Sequence, residues 1–302
     1  MREKPSLGFV GLGNMGLPMS KNLITAGYQV YGLDINEKAV EAFQQEGGNI
    51  GPSLEAISDK VDIIMTSLPS PQVVENTYLG EDGIIAHAQK DLLMIDFSTV
   101  SPEVNEKIAK VSNKQGLGYL GTPVSGGVVG AENQTLTMMV GGDKLLYNQA
   151  YPILNVLGGN IFHVGEEPGS GTVVKLLNNL FIGFYTQAVG EVLTLADKAG
   201  MDHDKLFDIL EVSYGQSRIY ERNYKTFISQ NNYEPGFTTK LLLKDLRLAR
   251  QMAKENQVHL PIMGELISMY EEAAESGYSD QDMSSMYLHI KDEVQHNLHQ
   301  KS

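Results

Sequence analysis

The 302-residue chain contains no cysteine, so disulfides, thiolate nucleophiles and cysteine-ligated zinc are all excluded. Basic residues are scarce as well. Lys and Arg number 23 against 37 Asp and Glu, a formal charge of −14. Nucleic acid and anionic membrane both select basic surfaces, so neither is expected as a partner. A small anionic ligand is not excluded, because a pocket can be locally positive on an acidic protein. Long apolar runs are missing too. The most apolar stretch, residues 176–190, is interrupted by Asn178, Asn179 and Gln187, and a membrane span needs about 20 apolar residues. The apolar run at residues 7–10 is too short for a signal-peptide core. No H-E-x-x-H string occurs, and neither a repeat nor a low-complexity linker is visible. Together these absences predict a cytoplasmic chain with no metal.

What is present is ordinary for a globular protein. With 42% hydrophobic and 20% charged residues, a sizeable core is expected. The first half alternates strand-like and helix-like segments. Residues 7–10, 29–33, 61–67 and 92–97 read as strands, and the last two are continuous apolar runs suited to burial on both faces. Residues 136–140 and 161–164 read as later strands. Ser101 before Pro102 predicts a capped helix start. This order implies a parallel sheet covered by helices on both sides. From residue 169 to 199 the pattern predicts one helix roughly 45 Å long at about 1.5 Å per residue. It is apolar nearly all round, as in a helix buried among others. Residues 204–212, 239–255, 261–276 and 283–296 read as further helices. The expected fold is therefore a doubly wound α/β domain of the Rossmann type, residues 1–165. An all-α domain with a long central helix follows at residues 166–302.

Gly11-Leu12-Gly13-Asn14-Met15-Gly16 is a G-x-G-x-x-G string with a strand before it, a helix after it and Asp34 about 20 positions on. Gly11 permits a tight turn, Gly13 lets a pyrophosphate approach the backbone, and Gly16 lets the helix pack close to the sheet. The helix N-terminus offers free N–H groups to phosphates. Asp34 can accept from both ribose hydroxyls of NAD and would repel the extra phosphate of NADP. Ile35 and Asn36 follow it, with no arginine to hold that phosphate. NAD is therefore the expected cofactor, preferred over NADP. Leu68-Pro69 and Ser98-Thr99 follow later strands; they either complete this site or are plain turns.

Among groups able to move a proton, the seven histidines sit in unconvincing settings. His163 lies in a strand-like run and His203 in a polar turn. His289, His296 and His299 lie near the C-terminus, and each reads as structural or surface. Tyr287 and Lys291 form a Tyr-x-x-x-Lys pair far from the nucleotide domain and read as a chance match. Lys175, Asn178 and Asn179 are spaced i, i+3 and i+4 on the long helix, so they share a face. One cation and two amides beside an apolar stretch are expensive to bury without a use. The same spacing also suits a solvated lysine with two asparagines packed on a neighbouring helix. In Thr122-Pro123-Val124-Ser125-Gly126-Gly127, either a carboxylate-binding nest or a tight turn fits. The run from Lys244 through Asp245 to Ala249 reads as an exposed helix face with local ion pairs.

Taken in order, 8–19 (GFVGLGNMGLPM), 96–102 (DFSTVSP), 123–127 (PVSGG), 169–179 (GSGTVVKLLNN), Lys244-Asp245 and 277–282 (GYSDQD) resemble the β-hydroxyacid dehydrogenase family. That family includes 3-hydroxyisobutyrate dehydrogenase and tartronate semialdehyde and glyoxylate/succinic semialdehyde reductases. The larger 6-phosphogluconate dehydrogenases are relatives. The resemblance implies a Rossmann domain followed by a helical domain. It further implies oxidoreduction between a small β-hydroxy acid and its semialdehyde, with NAD(P). On this likeness Lys175 is the general acid–base and Asn179 orients it and the substrate. Ser125, Gly126 and Gly127 bind the substrate carboxylate, with Asn178 beside them, and Thr99 and Lys244 contact the cofactor. Two positions depart from the family pattern around the substrate loop. Gly121 stands where an aspartate is usual, and Gln134 where a glycine is usual.

Two other functions fit the same scaffold: an imine reductase, and a non-catalytic NAD-binding sensor. Lys175 in its matching place favours the carbonyl–alcohol reaction over the first. Ser125, Lys175 and Asn179 together argue against the second. The apolar girth of the long helix predicts a homodimer or homotetramer.

Overall fold

The structure, a computed structural model, describes residues 4–299. Met1, Arg2 and Glu3 of the N-terminal stretch, and the side chain of His299, lie outside the described residues. The chain forms two compact units, Met1–Lys175 and Leu176–Ser302.

In the first unit nine strands form one sheet: β1 Leu7–Val10, β2 Val30–Leu33, β3 Asn49–Ile50, β4 Ile63–Thr66, β5 Leu93–Asp96, β6 Gly118–Gly121, β7 Val124–Ser125, β8 Leu136–Gly141 and β9 Gly158–Gly165. The order is β3-β2-β1-β4-β5-β6-β8-β7, with β9 paired on β8. From β3 to β6 every pairing is parallel; β8 runs antiparallel to β6 and β7, and β9 parallel to β8. This is the doubly wound order, whose direction of winding reverses beside β1.

The apolar runs read as strands because every residue of β1, β4 and β5 is buried. Side chains alternate across the pleat. Leu7, Phe9, Ile63, Met65, Leu93 and Ile95 pack one face, while Val10, Ile64 and Met94 pack the other. Each fully buried side chain of this size contributes about 1.5–3 kcal/mol. In register, Leu33, Val10, Thr66, Asp96 and Gly121 form one row at the carboxyl edge. The segments that follow these residues therefore leave the sheet side by side.

Several expectations need correction. Ser101 does precede the helix Pro102–Lys114, but its side chain makes no capping hydrogen bond. The strand expected at residues 161–164 runs over Gly158–Gly165. The sheet unit extends past residue 165, since the helix Ser170–Lys198 opens inside it. A Cβ at Gly171 would lie 1.9 Å from the Met139 carbonyl oxygen, so this helix start is seated directly on β8. Gly121 is explained in the same way: a side chain there would lie 2.4 Å from the Pro168 carbonyl oxygen.

The second unit holds helices His203–Glu211, Arg218–Arg222, Thr239–Glu255, Met263–Ala273 and Met286–His299, joined by wide turns at Asn223–Ile228 and Ala274–Tyr278. Among the described residues no strand follows Gly165. One core gathers Leu176, Leu242, Leu246, Leu266, Ile267 and Tyr270, and a second gathers Val189, Leu193, Phe207, Tyr220 and Tyr224. Asp282, wholly buried, binds Arg222 through both oxygens (3.0 and 2.7 Å) and accepts the Phe237 and Ser284 N–H groups. The long helix is not covered all round. Leu177, Phe181, Tyr185, Ala188, Val192 and Leu195 are exposed in a stripe at three- and four-residue spacing, up to 62% at Phe181 and 70% at Leu195.

Tyr287 and Lys291 are more than a coincidence of spacing. The Lys291 ammonium donates to the Tyr287 hydroxyl (3.1 Å), which donates to Asp197 (2.8 Å), and His203 lies 3.0 Å from the same carboxylate. The group joins the end of the long helix to two others and serves packing. No described helix is long and apolar enough to cross a membrane.

Candidate active site

The glycine string forms the turn between β1 and the helix Gly16–Thr25. Gly11 has φ +91°, and a Cβ there would lie 2.3 Å from the Ser67 carbonyl oxygen. At Gly16 a Cβ would lie 1.8 Å from the Gly11 carbonyl oxygen. Both glycines are thus required by the protein's own backbone. Gly13 differs: nothing lies within 4 Å of its missing side chain, so the space beside it is open. Met15 caps the helix without a side-chain hydrogen bond and no acid occupies the first turn, so the amino end keeps its positive field. These features fit a pyrophosphate.

Asp34 leaves the end of β2 beside this turn. Its Oδ2 accepts the Leu12 N–H at 2.6 Å and its Oδ1 the Asn36 N–H at 2.8 Å. Each carboxylate oxygen retains a lone pair for a ribose hydroxyl. Asn36 is committed elsewhere, because its side chain caps the next helix at Lys38. Ile35 is fully exposed, an apolar surface next to the carboxylate.

The loops after β4 and β5 are tied together below the surface. Asp96 is wholly buried and accepts the Thr66 hydroxyl (2.7 Å) and the Ser98 N–H (3.0 Å) on Oδ1. The Ser98 hydroxyl oxygen in turn accepts the Leu68 N–H at 2.9 Å. Leu68 and Thr99 are half-buried and Pro69 is exposed. Burial holds the Asp96 carboxyl above its ordinary range, only partly offset by hydrogen bonds from Ser98 and Thr66. On its other side Tyr119 donates to Oδ2 at 3.5 Å, Asn105 donates to Tyr119 at 2.8 Å, and Thr172 donates to Asn105 at 2.7 Å. A buried polar chain therefore runs from the Leu68 loop to the helix turn that precedes Lys175. Asn105 and Tyr119 were absent from the sequence reading, since nothing in sequence marks residues that meet only through a sheet.

Lys175 is only 8% exposed, which removes the solvated-lysine reading. Asn179, one turn on, is fully buried, and Asn178 is half-buried with its amide donating to Asn179 Oδ1 at 3.0 Å. Asn179 donates to Asp245 Oδ2 at 2.5 Å, and Lys244 lies 3.0 Å from Asp245 Oδ1. The segment read as an exposed charged face is therefore partly internal, with Asp245 at 2% exposure. The signal was available: position 245 falls on the same face as Leu242, Leu246 and Ala249.

After β6 the chain turns through Thr122 and Pro123 into β7, and Ser125 is half-buried. Gly126 (φ +132°) and Gly127 (φ +62°) follow, exposed and in backbone conformations that favour glycine. Gln134, in place of the usual glycine, also has φ +60°. Its amide donates to Asn22 at 3.3 Å, and Asn22 donates to the Ala131 carbonyl at 2.7 Å.

Residues 6–165 match the family model described as the NAD binding domain of 6-phosphogluconate dehydrogenase. Residues 169–290 match the one described as NAD-binding of NADP-dependent 3-hydroxyisobutyrate dehydrogenase. A 2-(hydroxymethyl)glutarate dehydrogenase of Eubacterium barkeri is 36% identical over 95% of this chain and 95% of its own. An NAD-dependent L-serine dehydrogenase of Pseudomonas aeruginosa is 34% identical over 92% of this chain and 95% of its own. The solved 3-hydroxyisobutyrate dehydrogenase of Mycobacterium tuberculosis with L-serine superposes with a TM-score of 0.88 at 32% identity, over 96% of this chain and 100% of that one. The likeness spans nearly the whole chain, and these relatives are all named as dehydrogenases. The chain belongs to the β-hydroxyacid dehydrogenase family, as an NAD(P)-binding oxidoreductase of hydroxy acids.

Proposed function

We propose that the protein interconverts a small β-hydroxy acid and its semialdehyde, prefers NAD, and uses Lys175 as its acid–base group. The observation that carries this reading is the burial of Lys175 one helical turn from buried Asn179. Taking an ammonium out of water is costly, and a site that must protonate an alkoxide is a place where that cost is useful. In the reducing direction the Lys175 ammonium donates a proton to the carbonyl oxygen and stabilises the charge developing there. In the oxidising direction the neutral amine accepts the hydroxyl proton. Bound nicotinamide supplies or takes the hydride.

The other assignments follow the chain's own chemistry. Gly11, Leu12, Gly13, Asn14, Met15 and Gly16 hold the dinucleotide phosphates, with Leu68, Pro69, Thr99 and Lys244 as further cofactor contacts. Ser125, Gly126 and Gly127 receive the substrate carboxylate, helped by Asn178, and Asn179 orients Lys175. Asp34 favours NAD, since a 2′-phosphate would meet its carboxylate and neither Ile35 nor the committed Asn36 offers a cation. The sheet unit acts as the cofactor-binding segment and the helical unit as the substrate or assembly segment of a cytoplasmic enzyme. The exposed stripe from Leu177 to Leu195 supports a homodimer or homotetramer.

A panel of C3 to C5 β-hydroxy acids and semialdehydes, assayed with NAD and NADP, tests the reading. Turnover of at least one acid with a higher kcat/KM for NAD supports it. Binding of NAD without turnover of any of them would leave a sensor instead. Light scattering of wild type and Phe181→Glu tests the assembly, which fails if both are monomers.

A further inference from the structure

The hydroxy-acid reaction uses none of the histidines, yet one is built into the second unit in a setting that suits another purpose. His289 lies on the helix Met286–His299, with its side chain 6% exposed, and makes no hydrogen bond to the described residues. Its Nε2 faces Glu293 Oε1 at 3.6 Å, one turn further along the same helix. Glu272, near the end of the neighbouring helix Met263–Ala273, completes a trio whose ligand atoms all lie within 4.8 Å of one another. Tyr278 packs its ring against His289 at 5.8 Å between centroids, while its hydroxyl donates to Asp292 at 2.5 Å. His296 lines the same depression.

We infer that Glu272, His289 and Glu293 form a binding site for a divalent transition-metal ion of the zinc type. Imidazole and carboxylate are the donor set that such ions share, and a single buried imidazole with two carboxylates favours them over magnesium, which prefers oxygen and water. Zinc–nitrogen and zinc–oxygen distances are about 2.0–2.2 Å, so the two exposed glutamates need only swing inward around a fixed histidine. The i, i+4 spacing of His289 and Glu293 presents both from one helix face. The third ligand comes from another helix, so the ion would staple Met286–His299 to Met263–Ala273. The formal charge of −14 adds a long-range attraction for cations. The site requires no part of the proposed hydride chemistry, and its test is independent of activity.

The experiment uses the full chain, stripped with EDTA and titrated calorimetrically with Zn²⁺ and separately with Mg²⁺. The expected result is one saturable Zn²⁺ equivalent, with Mg²⁺ far weaker, and a thermal midpoint that rises on adding Zn²⁺ and returns with EDTA. The variant Glu272→Gln/Glu293→Gln changes only exposed side chains. It should weaken Zn²⁺ by about 100-fold, because even outer-sphere partners of a metal commonly contribute 10–100-fold. His289→Gln should do the same, with circular dichroism confirming its fold. Absence of saturable binding, undiminished binding by the double variant, or equal affinity for Mg²⁺ would each overturn the site.

Discussion

Thr172 donates its hydroxyl proton to Asn105 Oδ1 across 2.7 Å, and neither side chain reaches solvent. This bond ends a polar chain that begins at the loop after β4. Thr172 stands three residues before Lys175, so whatever fixes Thr172 also fixes the turn from which the amine projects. Valine has the shape of threonine but leaves the Asn105 oxygen without its donor, at a cost of about 1–3 kcal/mol. Thr172→Val should lower kcat about tenfold, since displacements of about 1 Å can cost 100-fold, with little change in dinucleotide affinity. Thr172→Ser should recover most of it. Steady-state kinetics with cofactor titration decides; equal loss in both variants would point to packing alone.

Lys175→Ala should reduce kcat by about 100- to 10,000-fold, the usual contribution of a positioned acid–base group. Dinucleotide affinity should hold, because the glycine turn and Asp34 are untouched. Single-turnover rates alongside calorimetric NADH binding check both parts. Near-normal turnover would remove the acid–base assignment while leaving the family membership intact.

Asp96 makes stability depend on pH in a stated direction. Burial raises its carboxyl in the folded protein above the value of 3.8 for a free side chain. The stabilisation it gives is complete below that value and is lost as pH rises through the raised one. Asp96→Asn keeps an acceptor for Thr66 and Ser98 without this titration. Urea unfolding of both proteins from pH 4 to 8 should therefore show wild type losing stability relative to the variant as pH increases. A constant difference would mean that Asp96 titrates normally.

Gln134 occupies left-handed backbone, φ +60°, at a cost of about 1–2 kcal/mol for a residue with a Cβ. Glycine would remove that strain. It would add about 0.4–1 kcal/mol of unfolded-chain entropy and lose the long bond to Asn22. Gln134→Gly should raise stability slightly, by about 0.5 kcal/mol, read as a small upward shift of the melting midpoint. Gln134→Ala, which keeps the strain and loses the bond, should be less stable than wild type.

Asp282 is the polar centre of the helical unit. Asp282→Ala would leave the Arg222 guanidinium and three backbone N–H groups without their acceptor. Loss of one partner from such a pair costs about 3–5 kcal/mol. Limited proteolysis should cut the variant preferentially after residue 176. Resistance equal to wild type would show that Arg222 finds another partner.

Much of this was legible in the sequence because burial on both faces forces a continuous apolar run. β1, β4 and β5 stand out for that reason, and the helix Thr239–Glu255 by the helical spacing of its apolar residues. β6 did not, because Gly118 and Gly121 interrupt it, and the helix Lys144–Leu157 was masked by Pro152. The helical stretch from Arg218 to Ile228 widens midway, which breaks the 3.6-residue period by which helices are recognised. The candidate site divided likewise. Gly11, Asp34 and Lys175 sit in local strings whose spacing carries meaning. Asn105 and Tyr119 acquire theirs only when distant segments meet. The long helix hid its exposed stripe because an apolar pattern does not say which side will be covered.

The Asp34 carboxylate binds the backbone N–H groups of Leu12 and Asn36. On the proposed preference for NAD, nucleotide choice and loop conformation share one side chain. A switch of preference toward a phosphorylated ribose cannot be had by deleting the acid alone, because the glycine loop would lose its anchor at the same stroke. Any lineage or design that makes the exchange must first supply Leu12 with a neutral acceptor, and only then a cation.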